Sequence, residues 1–324
     1  VSFNHAANKK EDIMKRRCSV CRILFIGLVV AALYLVPAPA IAEEVGFCQA
    51  AAESLTGDVY ANPERWQSLS IYTLFTEGWN EPWVSPPTGE GYAPRQGWIN
   101  AADGVFYRLG IGTFGYSNGA ERLGDRYTGG LTLYAPLSRR LEVQFDVPFV
   151  DSFDGHTDFG DLQITPRIIL SETKAVSESF NLAIRIPTGD KDQGNRSAVL
   201  TPNYQFWTNH WKGLVLRGGL GMAIPVHNQR DTGARTAIVG NFAAGYYFTE
   251  HDAAPFGDFV TYVAANFSQA VDDRDDSKTT SLSLTPGFRT HLGNNWYLLG
   301  GVEVPTTKPK AYDYQILSGL MLVF

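Results

Sequence analysis

Apolar and polar residues alternate along Arg140-Leu141-Glu142-Val143-Gln144-Phe145-Asp146-Val147-Pro148-Phe149. Leu141, Val143, Phe145, Val147 and Phe149 fall on one face, and Glu142, Gln144, Asp146 and Pro148 on the other. A period of two puts the two sets on opposite sides of a strand. The pattern returns at Leu162/Ile164/Ile168/Leu170, at Phe180/Leu182/Ile184/Ile186 opposite Asn181 and Arg185, and at Leu214/Leu216/Leu220/Met222/Ile224 opposite Arg217. It closes with Trp296/Leu298/Val302/Val304 opposite Glu303. Twelve such segments lie near 105–116, 126–136, 140–150, 161–171, 178–188, 197–208, 213–225, 235–248, 258–269, 279–290, 295–304 and 312–324, and no amphipathic helix interrupts them. Each approaches the roughly 9–11 residues that a tilted strand needs to cross a bilayer. Glycine or polar residues blur the alternation in 126–136 and 197–208. Prolines such as Pro136, Pro225 and Pro305 mark strand ends or breaks in the ladder.

The connections alternate in length. Ser138-Arg139, Asn209-His210-Trp211-Lys212 and Leu292-Gly293-Asn294-Asn295 are short, whereas 152–160, 188–196, 227–233 and 270–278 are longer and polar. Short turns on one side and long loops on the other are the habit of outer-membrane barrels, whose termini lie on the short-turn side. Two connections, 171–177 and 249–257, are long for that side. The expected fold is all-β: an antiparallel transmembrane β-barrel of about twelve strands, preceded by an N-terminal lead-in or plug outside the barrel.

The chain ends on Tyr312-Asp313-Tyr314-Gln315-Ile316-Leu317-Ser318-Gly319-Leu320-Met321-Leu322-Val323-Phe324. Tyr312, Tyr314, Ile316, Leu320, Leu322 and Phe324 share a face and finish on an aromatic. This resembles the C-terminal signal read by the barrel-assembly machinery. Trp207, Trp211, Trp296, Tyr246, Tyr247 and Phe248 lie near strand ends, where barrels carry aromatic girdles.

If the apolar faces meet lipid, the opposite faces line a lumen. The inward charges are then Arg108, Glu142, Asp146, Asp161, Arg167, Arg185, Arg217, Arg289 and Glu303, five positive and four negative. Such a lining either focuses a field that selects solutes, or pairs internally within a plugged interior. Both readings stay open on the sequence.

Upstream, Met14-Lys15-Arg16-Arg17 opens a basic segment, residues 23–36 are an uncharged apolar run, and 37–42 ends in Ala40-Ile41-Ala42. That order marks a secretory signal peptide over 1–42, with 1–13 an upstream extension. The whole chain has 324 residues, three Cys and a net charge of −6. Removing 1–42 takes away six of the 27 basic and two of the 33 acidic residues, which leaves 21 against 31 and a net −10. Cys48 is then alone, so no intrachain disulfide forms, and Phe47 blocks a lipobox reading. An acidic exported chain has no general attraction for nucleic acid. The mean hydropathy of −0.13 excludes a bundle of membrane helices but not a barrel.

Residues 43–104 read differently, rich in Pro, Gly and Trp, as in Trp79-Asn80-Glu81-Pro82-Trp83. Short helices fit 44–55 and 62–75, although a strand over 66–76 fits the second stretch equally well and would break the even parity. This region is expected to be a periplasmic lead-in or a lumen plug, with the barrel over 105–324.

Candidate chemistry is sparse. Asp154-Gly155-His156-Thr157-Asp158 places carboxylates around a histidine on an outer loop, the basis of an alternative reading as a rim enzyme. No serine sits in a nucleophile elbow, and no Cys/His set has zinc spacing. Asp272-Asp273-Arg274-Asp275-Asp276 lacks the EF-hand spacing and reads as a solvated loop near lipopolysaccharide. No catalytic residue, metal or cofactor is expected.

Gly160-Asp161-Leu162-Gln163-Ile164-Thr165-Pro166-Arg167-Ile168-Ile169-Leu170 resembles the "GDL" strand of outer-membrane barrels grouped under the phenol meta-cleavage-pathway (MetA-type) label. Ile186-Pro187-Thr188-Gly189-Asp190 resembles their "PTGD" strand end, and the likeness spans about 105–324. The resemblance implies a transporter-like barrel that admits hydrophobic or aromatic compounds. The sequence therefore leads to the expectation of a monomeric outer-membrane channel for small solutes, assembled by the barrel machinery among lipids and lipopolysaccharide. A rim enzyme near His156 and a closed structural or adhesive barrel are the alternatives.

Overall fold

The computed structural model describes residues 46–324, apart from 61–62, 121–123, 152–156, 190–195, 229–233, 254 and 273–279. The signal-peptide reading of 1–42, His156 and most of the acidic loop at 272–276 thus lie outside the described residues.

Thirteen antiparallel strands form among the described residues. They are β1 (Leu109–Ala120), β2 (Gly124–Pro136), β3 (Leu141–Asp151), β4 (Thr157–Phe159), β5 (Gln163–Glu172), β6 (Val176–Arg185) and β7 (Val199–Trp211). The series continues with β8 (Leu214–Pro225), β9 (Ala237–Tyr247), β10 (Gly257–Ala270), β11 (Thr280–Gly293), β12 (Trp296–Pro305) and β13 (Tyr314–Val323). Apart from β4, each strand pairs with its neighbours around the ring, and β13 pairs with β1 to close it. The first part of β3 pairs with β5 and its last three residues with β4, so β4 and β5 share one position. The result is a closed antiparallel barrel of twelve positions, with the even parity that the pattern implied. Closure leaves no open sheet edge.

Period-two patterning explains which side faces out. On β13, Leu320 is 46% exposed while its neighbour Met321 is fully buried. Phe114, Leu131, Leu133, Phe242, Val263 and Ile316 add to an exposed apolar outer surface. Tight turns gather at the end that holds Leu109 and Phe324. Asn294 and Asn295, both at positive φ, form the two-residue β11–β12 hairpin, a backbone asparagine tolerates well. The β5–β6 connection is only 173–175, tighter than expected, whereas the β9–β10 connection stays long.

Two strand bounds differ from the sequence reading. β1 starts at Leu109 rather than 105, because the backbone of 105–107 bonds to side chains instead of a neighbouring strand. The Tyr107 N–H donates to Glu142, and the Val105 carbonyl accepts from Arg167. Arg108 is therefore not a strand residue. β5 starts at Gln163, which leaves Asp161 in the connection before it.

Before the barrel, α1 (Phe47–Thr56) occupies the first expected helix. The second is absent: 63–65 and 71–73 are single 3-10 turns, and Leu69 makes only an isolated bridge to Glu172. The Leu69 N–H and carbonyl are taken by the backbone of Glu172 on the wall, which leaves no helix running through that position. Among the described residues, no helix is long and apolar enough to cross a membrane.

Candidate functional site in the barrel lumen

Residues 93–107 run among the inward side chains of the wall. An irregular segment buried this way must have its backbone polar groups bonded, because no water replaces them. The wall supplies the partners. Asn209 Oδ1 accepts from the Ala93 N–H at 3.0 Å, and Asn241 Oδ1 accepts from the Ala102 N–H at 2.7 Å. Asn241 Nδ2 donates to the Asn100 carbonyl, and the Tyr262 hydroxyl to the Ile99 carbonyl. Arg217 Nη1 donates to the Gln96 carbonyl at 2.7 Å, and Arg167 Nη2 to those of Asp103 and Val105 at 2.9 Å.

Asp103 is the electrostatic centre of this contact. Its carboxylate pairs with Arg217 and, at 3.4 Å, with Arg167, which also pairs with Glu142. All four side chains are buried. Two guanidinium and two carboxylate groups thus balance in a region where an unpaired charge costs several kcal/mol.

The apolar anchor is Trp98. Its ring stacks on Tyr262 with centroids 4.7 Å apart, Arg217 lies 4.7 Å from it, and its N–H donates to the Tyr247 hydroxyl at 3.2 Å. Gly104 lets the segment touch the wall: a Cβ there would lie 2.7 Å from the Ser177 carbonyl oxygen and 2.8 Å from that of Gln205.

At the turn end, residues 46–92 continue the closure. Arg140, fully buried, donates to the carbonyls of Glu77 and Ser70 and to those of Ile169 and Leu170. Arg95 pairs with Glu172 at 2.9 Å and lies 4.8 Å from the Trp207 ring. Burial pushes Arg95 below its ordinary pKa, opposed by the charge of Glu172. Burial likewise raises the Tyr60 phenol to about 12, against the pull of Arg108.

The nine inward charges therefore separate into groups. Glu142, Arg167 and Arg217 come together on the lumen segment through Asp103. Arg108 sits at the turn end and donates to the carbonyls of Gly57, Ser54 and Phe324. Asp161, off the strands, accepts from the Gly189 N–H. Arg289 is fully buried, with its guanidinium 4.8 Å from the Tyr297 ring and 3.9 Å from Asp258. Asp146, Arg185 and Glu303 remain half-buried toward the other end. Asp146 accepts from Thr132, Gln144 and Gln163, and Glu303 from the Ser283 hydroxyl. Of the nine inward positions expected from the alternation, Arg108 and Asp161 are corrected to positions off the strands, and Glu142, Arg167 and Arg217 are spent on the lumen segment.

Of the terminal face, Tyr314, Leu320 and Phe324 are exposed on the outside, with Leu322 half-buried beside them, while Tyr312 precedes β13. Trp211, Trp296, Tyr246 and Phe248 are also exposed, as a girdle requires. Trp207 and Tyr247 are not girdle residues; both are buried inside, against Arg95 and Trp98. Sequence reasoning missed Trp98, Asp103, Asn209, Asn241 and Tyr262. The last three occupy inward alternating positions, a usable signal, but Trp98 and Asp103 lie where no periodicity exists. Among the described residues no group of His, Cys, Asp and Glu is arranged to hold a metal.

Comparison with known proteins gives a consistent picture. A family model described as "Putative MetA-pathway of phenol degradation" matches residues 101–311. An outer-membrane channel from Pseudomonas putida F1 superposes with a TM-score of 0.53 at 12% identity, covering 71% of this chain and 100% of the channel. The NanC porin superposes at 0.50 with 8% identity, covering 67% of this chain and 98% of its own. No curated protein matches in sequence. At these identities the structural likeness is one of fold.

Proposed function

The chain belongs to the putative MetA-pathway of phenol degradation family, and on that premise we propose that it is an outer-membrane channel for small solutes. The carrying observation is a closed twelve-position barrel with an apolar outer surface and a polar lumen mouth. An apolar exterior is what lipid solvates, and closure satisfies every strand within the membrane. The turn end, with both described chain ends of the barrel, faces the periplasm on this reading. Hydrophobic or aromatic compounds are the proposed solutes, passing without a cofactor or a catalytic step. The partners are lipids, lipopolysaccharide and the barrel-assembly machinery, and the protein works as a monomer.

Residues 93–107 then act as a gate. Passage requires them to shift from the wall, since Trp98, Asp103 and Gly104 occupy the path. Planar-bilayer recording on the wild type and on Trp98→Ala tests the channel. Steps of current are expected, and silence from both proteins overturns the proposal. The filled lumen also favours a second reading, a closed structural barrel, which that silence would support. Unchanged turnover of lipid or peptide substrates on His156→Ala would remove the enzyme alternative.

A further inference from the structure

At the mouth away from the chain termini, one row of the ladder carries a pocket of about 290 Å³. Gln163, Arg185, Val199 and Pro225 are register partners in turn across β5, β6, β7 and β8. Thr201, Ala223, Ala234 and Arg235 complete the lining. The pocket thus presents two guanidinium groups, a hydroxyl and an amide beside an apolar wall.

Arg185 is the unusual member. Its side chain forms no hydrogen bond or ion pair with any described residue, and its Nε–H is sealed from solvent without a partner. The nearest carboxylate in the ladder does not answer it. Asp146 is already bonded by Thr132 at 2.8 Å, by Gln144 at 3.0 Å and by Gln163 at 3.1 Å. A half-buried guanidinium left open, while every other inward charge is engaged, is a prepared site for an anion. Its planar fork matches a carboxylate.

We propose that this pocket binds a small organic carboxylate with a compact apolar body. The charge comes from Arg185, with Arg235 and the Thr201 hydroxyl flanking it, and Val199 and Pro225 take the apolar part. An inorganic anion would leave that wall unused, and a neutral solute would leave Arg185 unpaired. The pocket lies at the strand ends away from the turn end, so on the channel reading it faces solutes arriving from outside. This rests on the channel reading for its orientation but not for its chemistry.

The test is calorimetric titration of the full mature chain in detergent with benzoate, benzyl alcohol and inorganic phosphate, beside bilayer recording. Saturable one-to-one benzoate binding is expected, weaker in high salt. Arg185→Gln should weaken it about tenfold or more, the loss of a charge-assisted bond, and Arg185→Lys should weaken it less. Heat-modifiable gel mobility verifies that both variants remain folded barrels. Unsaturable benzoate binding, equal binding of benzyl alcohol or phosphate, or an unchanged Arg185→Gln would each overturn the site. Current without benzoate binding removes the site and leaves the channel. Benzoate binding without current removes the channel and leaves the site.

Discussion

Truncating Trp98 to alanine should open the lumen. The indole is 4% exposed, stacks on Tyr262 at 4.7 Å and donates its N–H to the Tyr247 hydroxyl. Gly245 leaves space for it, since a Cβ at that position would lie 2.6 Å from the indole edge. A tryptophan so enclosed contributes about 3–5 kcal/mol when judged by replacement with alanine. These contacts exist only while residues 93–107 lie against the wall, so their loss falls on the closed state. Since ~1.4 kcal/mol is a factor of ten, the open-to-closed ratio should rise by roughly two to three and a half orders of magnitude. The barrel hydrogen bonds are untouched, so heat-modifiable mobility should persist. Single-channel recording reads the ratio directly. A folded Trp98→Ala barrel with the wild-type open probability would refute the idea that this segment gates the lumen.

Other residues give independent checks. Asp103→Ala leaves Arg167 and Arg217 without a shared counter-charge, and should cost about 3–5 kcal/mol, seen as a lower unfolding temperature of the barrel in detergent. Gly104→Val forces a side chain against the Ser177 and Gln205 carbonyls, and should make residues 93–107 accessible to added protease. Leu131→Arg, on the exposed outer face of β2, should cost about 2–4 kcal/mol in lipid refolding, whereas Thr201→Arg on the inner face should not. Phe324→Ser should slow assembly in cells yet leave refolding into vesicles unchanged, because Phe324 is exposed rather than packed in the interior.

The wall was legible because a strand in a barrel has only two environments, and these repeat every second residue. Leu141, Val143 and Phe145 against Glu142 and Asp146 already separate outside from inside. β4 shows the limit: it continues the position of β5, and only pairing with β3 reveals that the ring keeps twelve positions rather than thirteen. The lumen charges were legible as inward, since Glu142, Arg167 and Arg217 are indeed buried inside, but not as partners of Asp103. Trp207 and Tyr247 show why. An aromatic near a strand end belongs to the outer surface or the interior according to its phase, and proximity to the end is not enough.

Local order along the chain thus determined the strands, their direction and the sidedness of each residue, because all of these depend on neighbours one or two positions away. The tertiary structure alone decided that Trp98, Asp103 and Gly104 fill the lumen, since residues 93–107 have no period and acquire their conformation from Asn209, Asn241 and Arg217. It also decided which charges are free. Arg167, Arg185 and Arg217 look alike in alternation, yet two are paired and Arg185 is open. That distinction depends on contacts between residues dozens to more than a hundred positions apart, which no local pattern encodes.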